Sequence, residues 1–127
     1  MGEIRTLIVD DSSVMRKIVE RALRQAGLDG LVVVEAANGV EGLEALRAAP
    51  VDLILSDINM PAMDGLEFVR QIRDQKLAVG VPVVMITTES SEEHVKQAIQ
   101  AGARGYIRKP FTAEQVKERV LPLVNAA

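Results

Sequence analysis

The sequence predicts an α/β protein in which five βα units build a doubly wound, parallel five-stranded sheet. Three observations lead to that fold class. Short β-branched apolar runs alternate with segments of helical period along the whole chain. The helical segments open on recognisable capping pairs. Hydrophobic residues make up 48% of the chain while aromatics make up 2%, so the core must be Val, Ile, Leu and Ala, as in sheets covered by helices. Alternating strands and helices imply right-handed crossovers, with helices on both faces.

The first strand runs from Ile4 to Val9. Val14, Ile18, Ala22 and Leu23 then sit at spacings of four, eight and nine, which places them on one helix face, and Gly27 follows as a C-terminal cap. Val32 to Ala36 reads as the second strand, and Asn38 with Glu41 starts the next helix. Leu53 to Ser56 forms the third strand, followed by a helix that opens on Asp64 and Glu67. Val83 to Thr87 is the fourth, with Ser90 and Glu93 capping its helix. The short run Gly105 to Ile107 is the fifth, and Thr112 with Gln115 opens the last helix. That helix turns Val116, Val120 and Leu123 inward, and Pro122 should end or kink it. Runs this short and β-branched suit strands buried on both faces.

Composition narrows the function classes. A chain of 127 residues makes one domain, here spanning 1–127, with enough surface to bury a single core. The formal net charge is -3 and the bases are scattered, so no footprint for nucleic acid or an anionic membrane is present. Base-stacking platforms need aromatic side chains that the chain lacks. There is no cysteine, which removes disulfides, thiolate nucleophiles and Cys-type zinc sites, and fits a reducing, cytoplasmic setting. The opening MGEIRTLIVDD meets acids before any long apolar stretch, so it is neither a signal peptide nor a membrane span. Gly2 and Thr6 match a myristoylation pattern, but Gly2 leads almost directly into a strand.

Chemistry enters at LILSDINM, residues 53 to 60, where an apolar strand ends on a carboxylate, Asp57. A carboxylate in dry protein costs several kcal/mol or more unless a cation or donors compensate it. In doubly wound sheets ligands sit beyond the C-terminal strand ends, and Asp57 lies at such an end. The first strand ends in Asp10 and Asp11, so three carboxylates share one pocket if the first and third strands are neighbours. Crowded like charges raise each other's pKa or recruit a cation, and an oxygen-only site with several waters suits Mg2+. Asp10 and Asp11 have an ordinary alternative as acids at a helix start, which would leave Ser12 or Ser13 as spare caps. The fourth strand delivers Thr87 and Thr88 to the same edge, although an isolated threonine there is ordinarily just a β-branched residue leaving the sheet. The fifth ends at Lys109 before Pro110, and a residue before proline is held out of helical geometry. In MPAMDG, Pro61 presets a turn, Gly65 permits tight geometry and Asp64 caps the helix that follows.

The stretches VDDS, SDINMPAMDG, ITTE and YIRKPF, in order on a (βα)5 frame, resemble the bacterial response-regulator receiver domain, in the stand-alone form found in chemotaxis response regulators. The resemblance covers Ile4 to about Val124. It implies a flavodoxin-like sheet in the order 2-1-3-4-5 and a phosphoryl group accepted on Asp57 from a sensor histidine kinase with Mg2+. By the same analogy Asp10, Asp11, Asp57 and the backbone carbonyl of Asn59 hold the metal, Asp10 mainly through a water. Lys109 would pair with the phosphoryl group, and the Thr87 hydroxyl and Thr88 amide would hydrogen-bond it. Thr87 and Tyr106 would form the switch that alters the surface of the fourth helix, fifth strand and fifth helix. Asn59 and Glu89 occupy positions that tune phosphoryl lifetime. The chain would carry no attached effector and would act on a separate protein: a motor switch, a phosphotransferase or another effector. It would be a monomer or a phosphorylation-dependent dimer, and a signalling protein that takes part in its own phosphorylation and dephosphorylation rather than an enzyme.

Other readings remain at this point. A haloacid-dehalogenase-type phosphohydrolase also uses an aspartyl phosphate and magnesium, but resembles its relatives in an Asp-x-Asp motif where this chain has Val9-Asp10-Asp11-Ser12. No phosphate-loop or dinucleotide glycine pattern follows the first strand. A receiver-like module that binds partners without phosphorylation is the third reading. His94 and the adjacent Arg16 and Lys17 read as surface residues, the latter two able to meet an acidic partner.

Overall fold

A computed structural model describes residues 3–87, 92–109 and 112–125. Its strands are β1 (Ile4–Val9), β2 (Leu31–Ala36), β3 (Leu53–Asp57), β4 (Val83–Thr87) and β5 (Gly105–Arg108), all parallel, in the order β2-β1-β3-β4-β5. Between them run α1 (Ser13–Gln25), α2 (Gly39–Ala48), α3 (Gly65–Asp74) and α4 (Glu92–Ala101), and after β5 come α5 (Ala113–Arg119) and α6 (Leu121–Asn125).

Successive residues of a strand point to opposite faces, and here each face has its own core. Leu7, Val9, Ile54, Val83 and Met85 join Phe68 and the apolar residues of α2, α3 and α4. Ile8, Leu53, Leu55, Val84 and Ile86 join Val19, Leu23, Val116 and Val120 on the other face. Because both faces are covered, β3 and β4 are buried at every residue. The expectation of double burial holds for these central strands. It fails for β2 and β5, which are half-buried because each has a neighbour on one side only.

Helix starts follow local chemistry. The side chains of Ser12, Asn38, Asp64 and Thr112 accept hydrogen bonds from the amides of Met15, Glu41, Glu67 and Gln115, at 3.2, 2.9, 2.8 and 3.3 Å. Ser90, the expected cap of α4, lies outside the described residues. Gly27, with φ +102°, ends α1. The Leu28 amide reaches the Leu23 carbonyl and the Gly27 amide the Arg24 carbonyl, a Schellman closure that needs a left-handed residue. Val120 interrupts the last helix, since Pro122 has no N–H to continue the ladder. Val116 and Val120 are buried and Leu123 packs against the same core, as the spacing predicts.

One expected face is displaced. The buried stripe of α1 is Val19, Ala22 and Leu23, while Val14 is 67% and Ile18 44% exposed. At 3.6 residues per turn, Val14 and Ile18 lie roughly a quarter-turn or more from the centre of that stripe, so the helix turns them towards solvent. Among the described residues no helix is long and apolar enough to cross a membrane.

Phe68 is fully buried, and a Cβ placed on Gly42 would come within 2.8 Å of its ring, so the aromatic fills a space that a glycine on α2 leaves open. Phe68→Ala is expected to cost ~3–5 kcal/mol through lost transfer energy and a residual cavity. Urea unfolding followed by far-UV circular dichroism checks this; a cost below ~1 kcal/mol would mean that α2 and α3 collapse onto the space.

Candidate functional site

The strand order makes β1 and β3 neighbours, with Val9 paired to Ser56, so Asp10 and Asp57 leave the sheet side by side. The carboxylates of Asp10, Asp11 and Asp57 offer oxygens that all lie within 4.8 Å of one another. Asp10 and Asp57 are buried, and Asp11 is exposed. Neither Asp10 nor Asp11 caps α1, because Ser12 does so; the Asp10 carboxylate instead accepts the Ser12 amide at 2.9 Å. The ordinary explanation of these two acids is therefore set aside by geometry.

Lys109 reaches the acids from the far edge of the sheet. Its backbone N–H donates to the Thr87 carbonyl at 2.7 Å, which holds the residue against β4 just past the end of β5. From there the side chain brings Nζ to 3.2 Å from Asp10 Oδ2 and 3.7 Å from Asp57 Oδ2. Thr87 is buried at the adjoining strand end. Burial pushes the Asp57 carboxyl above its ordinary value of 3.8. The Lys109 ammonium opposes that rise, the Asp10 charge adds to it, and the N–H groups of Asn59 and Ile58 reduce it. The oxygen-only donor set, open to solvent at Asp11, fits a hard divalent cation that keeps part of its water shell.

The turn after β3 is shaped by this strand end. A Cβ on Gly65 would stand 2.2 Å from the Asp57 carbonyl oxygen and 2.8 Å from Ile58 Cα, while the Gly65 amide donates to the Ile58 carbonyl at 2.7 Å. Gly65 is thus required by close backbone approach, which lets α3 start directly against the strand. Pro61 precedes Ala62, whose φ is +67°, and its carbonyl accepts the Met63 amide at 2.7 Å. Asn59 is exposed beside the acids. Thr88, Glu89 and Pro110 lie outside the described residues.

Two contacts carry no local signal in the sequence. Arg16 donates through Nη1 to the Asp10 backbone carbonyl and through Nε to Glu35 at 2.8 Å. Lys17 meets the same Glu35 at 3.1 Å, so the acidic partner of these two bases is on β2. The bonds from Arg16 and Lys17 hold the Glu35 carboxyl below its ordinary range. Glu35 is remote in the chain, and only β1·β2 pairing brings it to α1. Secondly, the Arg119 guanidinium lies 4.9 Å from the centroid of the half-buried Tyr106 ring, a cation–π contact between α5 and β5.

The sequence matches the response regulator receiver domain family over residues 6–121. It is 41% identical over 118 residues to a chemotaxis protein CheY homolog of Campylobacter jejuni subsp. jejuni, covering 92% of this chain and 89% of that protein. The chemotaxis response regulator CheY4 of Vibrio cholerae superposes with a TM-score of 0.83 at 37% identity, over 95% of this chain and 98% of that one. A CheY-like receiver domain protein of Methanospirillum hungatei does so at 0.84 and 28%, over 98% and 95%.

An acid whose folded pKa is raised binds its proton more tightly in the native state, so ionising Asp57 costs stability above its folded pKa, and that cost fades as pH falls towards 3.8. Asp57→Asn is therefore expected to raise Tm at pH 7 in metal-free buffer, by an amount that shrinks on acidification. Thermal unfolding of both proteins from pH 7 to pH 4 tests this; a mutant less stable at pH 7 would show that the Lys109 contact outweighs desolvation. Gly65→Ala is expected to displace the Asp57 and Ile58 backbone and lower Tm in metal-free buffer; an unchanged Tm would show that α3 shifts aside freely.

Proposed function

The chain belongs to the response regulator receiver domain family, and on that premise we propose that Asp57 accepts a phosphoryl group from a sensor histidine kinase and so changes the protein's affinity for a separate partner. The observation that carries this reading is the convergence of Asp57 with Asp10, Asp11 and the Lys109 ammonium at one sheet edge. Members of the family are signalling proteins that bind Mg2+ at an acidic pocket and work between histidine kinases and effectors. No observation favours a phosphohydrolase.

An oxygen of the ionised Asp57 carboxylate forms the new bond to phosphorus while the bond from phosphorus to the donor's imidazole nitrogen breaks, and the electron pair leaves with the imidazole. Burial at a rigid strand end aims that oxygen and removes competing water from its inner side. Asp10, Asp11 and Asp57, with the Asn59 carbonyl, are the groups that would hold Mg2+, which supplies positive charge against the phosphoryl oxygens. Lys109, already within 4 Å of both buried acids, is the cation that would turn to the new phosphoryl group. Thr87, one residue past the Ile86 that pairs with Asp57, would supply its hydroxyl, and the Thr88 amide would add a second donor.

The signal would leave along β4 and β5. Lys109 is bonded to Thr87, and Tyr106 pairs with Met85 two residues upstream of Thr87, so a shift at the phosphoryl site reaches the Tyr106 ring and its Arg119 cover. The surface of α4, β5 and α5 would then change its partner affinity. Asn59 and Glu89 would set how readily water attacks the phosphoryl group. Mg2+ use, a cytoplasmic setting and a chemotaxis-like pathway belong to the same reading.

Incubation with a small phosphodonor and Mg2+, followed by intact-mass measurement, is expected to show one labile phosphoryl group on the wild type and none on Asp57→Asn or after chelation. Equal incorporation by the mutant would overturn the assignment. Lys109→Ala is expected to accept phosphate yet lose the difference in partner affinity between its two states. A partner titration in which that difference survives would remove Lys109 from the switch.

A further inference from the structure

The sheet has a second end, where chain segments enter β3 and β4, and it differs in character from the first. There the C-terminal parts of α3 and α4 and the start of β4 enclose an apolar groove of about 300 Å³. The end of α2 and the segment before β3 border a second, open groove of about 440 Å³ with a mixed polar and apolar lining. Ala78, Val79 and Val81 line both, and Val79 stands between them with 81% of its surface exposed. The two grooves meet at Val79 in one trough, predominantly apolar on the α3–α4 side and mixed on the α2 side.

Its charge is one-sided. Arg73, Lys76 and Arg104 line the first groove and Arg47 the second, and no carboxylate lines either. Arg73 shares its Nε with Asp74, and Arg47 bonds the neutral Gln75. Among the described residues Lys76 and Arg104 make no ion pair. In a chain of net charge -3 this is a local excess of positive potential around apolar surface. The loop that presents it is held in an uncommon shape: Lys76 and Ala78 have φ of +55° and +47°, and Gly80 has +82°. Lys76 takes this conformation because it closes α3, its amide on the Arg73 carbonyl and the Leu77 amide on the Ile72 carbonyl, and the chain then turns through Ala78 and Gly80 into β4.

We propose that this trough docks an acidic, apolar peptide segment of a partner protein, with its Leu or Ile side chains on either side of Val79 and its carboxylates on Lys76, Arg104, Arg73 and Arg47. Complementary charge selects an acidic peptide over a basic one and the apolar floor selects it over polyglutamate. Asp57 sits at the other end of β3, on the order of 13 Å away along the strand, so a peptide in the trough does not touch the acidic edge.

A phage-displayed random dodecapeptide library panned on the full chain tests this. The enriched peptides are then synthesised with a fluorophore and titrated by anisotropy against wild type, Lys76→Gln/Arg104→Gln and Val79→Ser. The expected peptides carry several Asp or Glu among Leu or Ile. They are expected to bind about tenfold more weakly to the double variant or in high salt, since two exposed ion pairs are lost or screened. Weakening of about fivefold or more is expected for Val79→Ser, where an apolar contact is removed. Binding is expected in the absence of acetyl phosphate and Mg2+. These side chains are exposed, and unchanged thermal unfolding curves separate lost docking from a lost fold. Any of four results would overturn the proposal: no enrichment, neutral or basic peptides, binding retained by both variants, or binding that requires phosphorylation. Sedimentation showing that the trough pairs two copies of the chain would overturn it as well.

Discussion

Two buried carboxylates side by side, with one lysine between them and solvent, form the constraint to which the rest of the molecule answers. Asp10 and Asp57 cannot both shed water and remain charged without compensation, and Lys109 supplies only part of it, because the Asp57 carboxyl is still displaced upward. That residual imbalance makes the edge receptive to a hard cation or to any arrangement that brings more positive charge. The largely apolar body of the sheet makes the imbalance persist, since it keeps water from the inner side of Asp57. Gly65 lets α3 abut the Asp57 backbone, and Arg16 ties the Asp10 carbonyl to α1 and, through Glu35, to β2. These contacts fix the backbones of Asp57 and Asp10, which keeps both residues at their strand ends.

The same architecture explains why the two ends of the sheet differ so strongly. In a doubly wound fold every strand delivers its last residue to one edge, so acids that follow β1 and β3 necessarily collect there. The opposite edge gathers helix C-termini, where Arg47, Arg73 and the nearby Lys76 also satisfy the negative ends of the helix dipoles. The small net charge of the chain conceals this separation. An acidic edge and a basic edge, linked through β3 and β4 of five residues each, give the protein two chemically distinct surfaces on one core.

Much of this was legible in the residue order because the signals were local. Strand positions followed from runs such as Leu53 to Ser56, and caps at Asn38, Asp64 and Thr112 from short spacings that a helix start imposes. The gathering of Asp10, Asp11, Asp57, Thr87 and Lys109 followed from placing them at strand ends once β1 and β3 were neighbours. The inward face of α1 was misplaced because Ala22 belongs both to the Val14–Ile18 row and to the Val19 row, whereas Leu23, about two and a half turns after Val14, lies only with Val19. Apolar spacing alone cannot say which of two overlapping rows meets the sheet.

Sequence by itself determined the fold class, the parallel sheet and the set of acids and lysine at its edge, since each rests on residue type and near-neighbour spacing. Only the tertiary structure decided that Lys109 sits closer to Asp10 than to Asp57, that Gly65 is needed for backbone approach, that Arg16 finds Glu35, and that Arg119 covers Tyr106. The physical reason is range. Propensity, capping and periodicity act over a few residues, whereas these contacts join groups whose separation is set by how strands order in the sheet and how helices pack across it.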